Sequence, residues 1–139
     1  MRTRNLVLVI ALLVVMPVVL LGCDSKKDEA PAVEGSINGF VDAYCSGDYE
    51  TCVDYLVGIT DANRDTVIGQ LSGFHQICPT IEVNSIDNVA VNKSTATADV
   101  TLTALGQQAT FEMTLNKSDG TWRFSFGDML AEIQKQLGS

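Results

Sequence analysis

At Pro79 the spacing of apolar residues changes character, and few other features restrict the fold of this 139-residue chain as much. Before it, Val33, Ile37, Phe40, Val41 and Tyr44 step by four and three, which lays one stripe along a helix. Ser46-Gly47 breaks the stripe. Asp48 is placed to cap a second helix with Tyr49, Cys52, Val53 and Leu56 inward and Gly58 at its end. Thr60 or Asp61 is placed to cap a third, with Val67, Ile68, Leu71, Phe74 and Cys78 inward and Pro79 as its stop. After Pro79 the period is two. Ala96, Ala98, Val100, Leu102 and Ala104 alternate with Thr and Asp, and Phe111, Met113 and Leu115 alternate with Thr and Glu. Trp122, Phe124 and Phe126 alternate with polar residues in the same way, as strands buried on one face require. Asp119-Gly120 marks a hairpin. Ile81 and Val83 are odd, Ile86 is even, and Val89 and Val91 are odd again, so a bulge or bend is expected near Ser85. The pattern predicts an α+β domain. Three N-terminal helices pack on a bent antiparallel sheet of about four strands, and a short helix with Met129, Leu130, Ile133 and Leu137 ends the chain.

The first residues are a different object. Arg2 and Arg4 precede an uncharged run over residues 6–22, the order of basic head and apolar stretch that a secretion channel reads. Leu20-Leu21-Gly22-Cys23 resembles the lipobox of prokaryotic lipoproteins. There a diacylglyceryl group alkylates the Cys thiol and the chain is cut just before it. A thiolate is the nucleophile that this alkylation needs, and small Gly22 admits the peptidase. The resemblance implies a signal peptide over residues 1–22 and lipid attachment at Cys23. A solvated tether then runs to residue 32 and a domain covers residues 33–139. Two acyl chains suffice for stable anchoring, which would place the domain outside the cytoplasm, on the cell membrane.

Removing 22 residues leaves 117, with 17 acidic and seven basic side chains and a net charge of −10. Such a surface repels the phosphates of nucleic acid, which is excluded as a partner.

Helices first and then a meander of bent strands resembles the nuclear transport factor 2-like, cystatin-like superfamily, including its small bacterial lipoproteins of unknown function. Phe40 and Tyr44, the break Ser46-Gly47-Asp48-Tyr49, and the terminal strand Gly120-Thr121-Trp122-Arg123-Phe124 carry the likeness over residues 33–126. It implies a cone whose mouth holds a ligand, an active site or nothing, with the final helix placed to plug or cover it. The pocket residues it suggests are Tyr44, Tyr55, Phe74, Phe111, Met113, Trp122 and Phe124. The same large apolar residues are what a domain of this size needs for its core. Enzymes of the superfamily such as ketosteroid isomerase place an Asp base and Tyr or acid donors in the cone. Here Tyr44, Tyr49, Tyr55, Asp42, Asp48 and His75 are the available groups, and none sits in a matching motif.

Cys45, Cys52 and Cys78 remain in the domain. Cys52 and Cys78 lie on the inferred inner faces of their helices, so a Cys52–Cys78 disulfide is the preferred pairing in an oxidising compartment. With His75 these sulfurs have the donor types of a zinc site, but oxidation competes for the thiols and no metal or other cofactor is expected. Asn92-Lys93-Ser94 and Asn116-Lys117-Ser118 match the N-glycosylation pattern at expected strand ends, where turns favour the same residues. The expected role is binding without chemistry. A small apolar ligand or an envelope protein is the occupant, pairing with a second copy is left open, and a ketosteroid-isomerase-like Tyr/Asp enzyme is the alternative.

Overall fold

Helix α1 (Glu29–Ser46) is the element around which the rest is arranged, and it buries Val33, Ile37, Phe40, Val41 and Tyr44 on one stripe. The structure, a computed structural model, describes residues 29–137. The expected leader and Cys23 lie outside these residues. Residues 29–32, expected in the tether, are helical instead. Pro31 is no obstacle there, because a proline in a first turn removes no intrahelical bond. Gly47, at φ +79°, ends the helix. Its N–H bonds the Tyr44 carbonyl and the Asp48 N–H the Ala43 carbonyl, the paired closure that a left-handed residue permits.

Asp48 caps the next helix as expected, accepting from the Thr51 N–H at 3.2 Å and its hydroxyl at 2.7 Å. Helix α2 (Tyr49–Cys52) is a single turn followed by a 3-10 turn (Val53–Tyr55), shorter than the sequence pattern suggests. Leu56 leaves helical geometry because it finds a strand partner: it bridges Phe124, and the Val57 N–H bonds the Phe124 carbonyl. Helix α3 (Arg64–Ile77) is not capped by a Thr60 or Asp61 side chain. The Thr60 carbonyl takes the Asn63 and Arg64 N–H groups, and the Asn63 amide bridges back to Thr60 and Gly58.

Strands β1 (Ile81–Asn92), β2 (Thr95–Ala104), β3 (Gln107–Ser118) and β4 (Thr121–Phe124) form one antiparallel meander in chain order. The inward residues are those the alternation predicts, from Ala96 to Ala104 on β2 and from Phe111 to Leu115 on β3, where Ala109 extends the set by one. Two irregularities bend β1. One falls between Val83 and Ser85, where the parity slip places it, and the other between Asp87 and Ala90 restores the odd parity of Val89 and Val91. Asn88 takes φ +52° at the second, its amide held by Asp99 at 2.8 Å. The outer face is rich in threonine, with Thr101 and Thr110 joined across strands at 2.9 Å. Helix α4 (Phe126–Leu137) opens on the Ser125 hydroxyl, which accepts the Asp128 N–H, and buries Phe126, Met129 and Ile133. The Gln136 amide then grips both backbone groups of Thr110, fixing the helix end to β3.

The β2–β3 turn places Leu105 at φ +53° ahead of Gly106 at φ +73°, with the Leu105 side chain 58% exposed. A γ-branched residue in this region is strained by about 1 kcal/mol, which Asn largely avoids. Leu105→Asn is therefore expected to stabilise the domain by about 0.5–1 kcal/mol in urea denaturation. An unchanged or lower midpoint would show that the turn is not strained.

Candidate functional site

The interior of the cone is filled by aromatic rings. Phe40 stacks on Tyr44 with centroids 6.2 Å apart, meets Phe124 edge-on at 5.0 Å, and lies 5.9 Å from Phe126. Phe74 continues the cluster to Tyr44 and Phe126, each at 5.9 Å. Of the seven expected pocket residues, Tyr44, Trp122, Phe124, Phe111 and Met113 are buried in the core, and Tyr55 and Phe74 are half-buried against it. Tyr55 lies across α1 at Gly39, where a Cβ would come within 2.5 Å of its hydroxyl. Phe111, Met113 and Phe124 also floor a recess of about 210 Å³ under α4, rimmed by Glu112, Asp128 and Glu132.

A larger groove is made by residues that sequence reasoning missed. Leu56, Val57 and Ile59 form one wall, Val67 and Gln70 of α3 the second, and Phe126, Gly127 and Leu130 of α4 the third, around a volume of about 470 Å³. Phe126 closes its floor against the aromatic cluster. Exposed Val57 and half-buried Leu130 and Val67 were the only signals available, and a solvent-facing apolar residue is too common to carry weight alone. On the other side of the 56–59 segment, Arg64, Arg123 and Asn116 line a polar hollow of about 390 Å³. Both arginines are engaged there, Arg64 with Glu50 at 3.0 Å and Arg123 with the Asp54 carbonyl at 3.0 Å.

The titratable groups singled out from the sequence do not converge on a cavity. The Tyr44 hydroxyl donates to the Cys78 carbonyl, and burial pushes its phenol far above the ordinary range. Tyr49 Oη lies 2.7 Å from His75 Nδ1, and the same imidazole stands edge-on to the Tyr44 ring. Asp42 is exposed and Asp48 is a helix cap. Among the described residues no Asp or Glu is buried, so no buried carboxylate faces a tyrosine.

The expected Cys52–Cys78 disulfide is absent: Cys45, Cys52 and Cys78 are all free thiols. Cys52 Sγ points to the Phe40 carbonyl of α1 at 3.8 Å, whereas Cys78 Sγ points to the Thr80 carbonyl at 3.4 Å. The two inner faces are both buried, yet each sulfur is turned to a carbonyl of a different segment. Burial pushes the Cys52 thiol up to about 12, with nearby Asp48 and Cys45 adding to the effect. Burial also raises Cys78, against a lowering hydrogen bond from the Leu105 backbone. Cys45, exposed at the end of α1, contacts both backbone groups of Ile81. Among the described residues no three of His, Cys, Asp and Glu are grouped to hold a metal ion.

At the opposite end of α1, Glu29 accepts from Lys117 Nζ at 3.0 Å and from Trp122 Nε1 at 3.1 Å. These bonds hold its carboxyl below the usual value of 4.5. A lowered carboxyl stabilises the fold at pH values above the unfolded pKa, and that contribution is lost as pH falls through the folded one. Glu29→Gln is therefore expected to be less stable than the parent at pH 7, with the difference shrinking as pH falls through the lowered folded-state value. Trp122, the single tryptophan, reports the unfolding, and a difference that persists at low pH would refute the assignment.

Helices, a four-strand antiparallel meander wrapped on α1 and a closing helix define an α+β domain of the cystatin-like, nuclear transport factor 2-like fold. Among solved structures the chain is similar to an uncharacterised Caulobacter vibrioides protein with a cystatin-like fold. The TM-score is 0.52 at 18% identity, over 72% of this chain and 84% of that one. It also matches an epoxide hydrolase of the LEH-like type from M. tuberculosis, with TM-score 0.44, 17% identity, and 80% and 99% of the two chains. A de novo designed protein of the nuclear transport factor 2 fold matches with TM-score 0.44 and 15% identity, over 81% and 94%. No protein-family model and no curated protein matches the sequence. At these identities the likeness is one of fold.

Proposed function

We propose that this domain is a binding module without chemistry, held on the outer side of a membrane by a lipid on Cys23. It takes a small apolar ligand in the groove between the 56–59 segment, α3 and α4. The observation that carries the reading is the contrast between a cone filled with aromatic rings and an open apolar groove of about 470 Å³ beside it. Ligand sites of this size are largely apolar, with a few polar groups to orient the guest. Gln70 and Ser125 supply those groups here. Catalysis of the ketosteroid-isomerase kind needs a carboxylate within hydrogen-bond reach of the reacting carbon and a shifted acid beside it. No carboxylate is buried beside Tyr44 or Tyr55 among the described residues, and the Tyr44 hydroxyl is taken by the Cys78 carbonyl. For the anchor, the support is the leader and lipobox of the sequence, while no described helix is long and apolar enough to cross a membrane.

The neutral fluorescent amine N-phenyl-1-naphthylamine tests the groove. Leu130→Glu sets a carboxylate against the apolar wall and is expected to weaken binding about tenfold or more, because the guest would desolvate the charge. Equal affinity in the two proteins would remove the groove from the account. Intact mass of the membrane-extracted protein tests the anchor: a chain starting at Cys23 with two or three acyl groups is expected, and one starting at unmodified Met1 overturns it.

A further inference from the structure

We propose that the domain has a fixed orientation on the membrane. The end formed by the turns at 93–94 and 119–120 lies against anionic phospholipid headgroups, and the opposite end is presented outward. The proposal rests on Cys23 as the lipidated residue and adds to it the surface that meets the bilayer.

The reach of the chain comes first. From Cys23 to Glu29 there are six Cα steps, about 20 Å at full extension. Glu29 is not a loose end, since its carboxylate is held by Lys117 and Trp122 at the β3–β4 hairpin. The Lys117 N–H bonds the Ser94 carbonyl at 2.8 Å, so the β1–β2 turn belongs to the same corner. The start of α1 and both turns therefore form the end from which the tether leaves.

The fold then separates the other end from it. Helix α1 runs away from this corner until Cys45 reaches Ile81, and Ile81 pairs with Ala104 beside the β2–β3 turn. Two of the large apolar side chains most open to solvent, Leu105 at 58% and Ile77 at 70%, belong to this far end. Along β3, Thr110 is seven residues from Lys117, about 23 Å. Gln136 fastens the end of α4 to Thr110, which carries Lys135 to the far side as well.

Charge selects which end faces lipid. Around Glu29 and the two turns, Lys93 and Lys117 balance Glu29 and Asp119, whereas the rest of the described surface holds only Arg64, Arg123 and Lys135 against thirteen carboxylates. The field of an anionic leaflet extends about one Debye length, ~8 Å in physiological salt. It opposes any rotation that brings the strongly acidic part to the surface and leaves the neutral end undisturbed.

Lysine footprinting tests this on the full chain, with its lipid verified by intact mass. The protein is reconstituted in vesicles of phosphatidylcholine and phosphatidylglycerol at about 7:3 and labelled with a sulfonated, impermeant succinimidyl ester. Lys93 is expected to react about threefold or more slowly relative to Lys135 than it does when about 30 Gly/Ser residues lengthen the tether, because the anionic reagent is excluded near the leaflet. A ratio that tether length does not change, or protection of Lys135 instead, overturns the orientation alone. A chain that carries no lipid overturns the anchor and the orientation with it.

Discussion

Phe40→Ala is expected to cost about 3–5 kcal/mol, the range for removing a buried aromatic ring whose surroundings cannot close the gap. Phe40 is fully buried and is the one ring that touches Tyr44, Phe124 and Phe126 together, so it joins α1 to β4 and to the first turn of α4. Three neighbours on three elements cannot all move inward at once. A domain of ordinary stability holds about 5–15 kcal/mol in total, so the variant is expected to be partly unfolded at 37 °C. Urea denaturation followed by Trp122 fluorescence measures the loss. A cost below about 1 kcal/mol would mean that the cluster repacks and that the filled cone is softer than its geometry implies. The groove would feel the change too, since Phe126 is its floor and rests on Phe40.

The second large effect is in thiol reactivity. A maleimide or iodoacetamide is expected to label Cys45 at least about a thousand times faster than Cys52 in the folded protein, because only the thiolate reacts and only Cys45 is open to solvent. A thiol raised to about 12 is ionised in roughly one molecule in ten thousand at pH 8. Cys78 is fully buried and raised in the same direction, so it should also be slow. In urea all three should label at similar rates. Peptide mapping without prior reduction reads the result, and any unlabelled Cys52–Cys78 pair that appears only after reduction would show that the two sulfurs meet after all. The shifts have a further sign. Cys52 and Tyr44 keep their protons in the fold at pH values where the unfolded chain loses them. Their contribution is therefore intact below pH 9 and declines as pH rises above it.

How much of the fold is legible in the sequence depends on what each signal measures. Alternation on β2 and β3 reports burial of one face directly, and the inward set from Ala96 to Leu115 is found as read. The parity slip in β1 located the irregularity beside Ser85, because an extra residue must exchange the two faces. The second helix read too long. Its apolar spacing suited a helix, but Leu56 had a better use for its backbone beside Phe124, a partner 68 positions away. The tether read four residues too far for a similar reason. Glu29 is polar and lies outside the apolar stripe, yet it is where Lys117 and Trp122 converge.

The pocket is legible only as an alternative. The large aromatic residues read either as the lining of a space or as the core a domain of this size needs, and the second holds, because rings from α1, α3, β4 and α4 meet in one cluster. The open volume lies instead where three elements approach without enough side-chain bulk to meet, among Val57, Val67 and Leu130. No local pattern marks such a place.

What the sequence alone determined was periodic or short-range: helices before Pro79, strands after it, their inward faces, the Asp48 cap and the Asp119-Gly120 turn. Backbone geometry repeats every two or 3.6 residues, so a local reading can find these features. The tertiary structure alone decided which rings touch, that the three cysteines stay unpaired, where the groove opens, and that Glu29 fastens the first turn of α1 to β3 and β4. Each of those depends on residues tens of positions apart being brought to within a few ångströms, and a side chain's neighbours across the core leave no periodic trace in the chain.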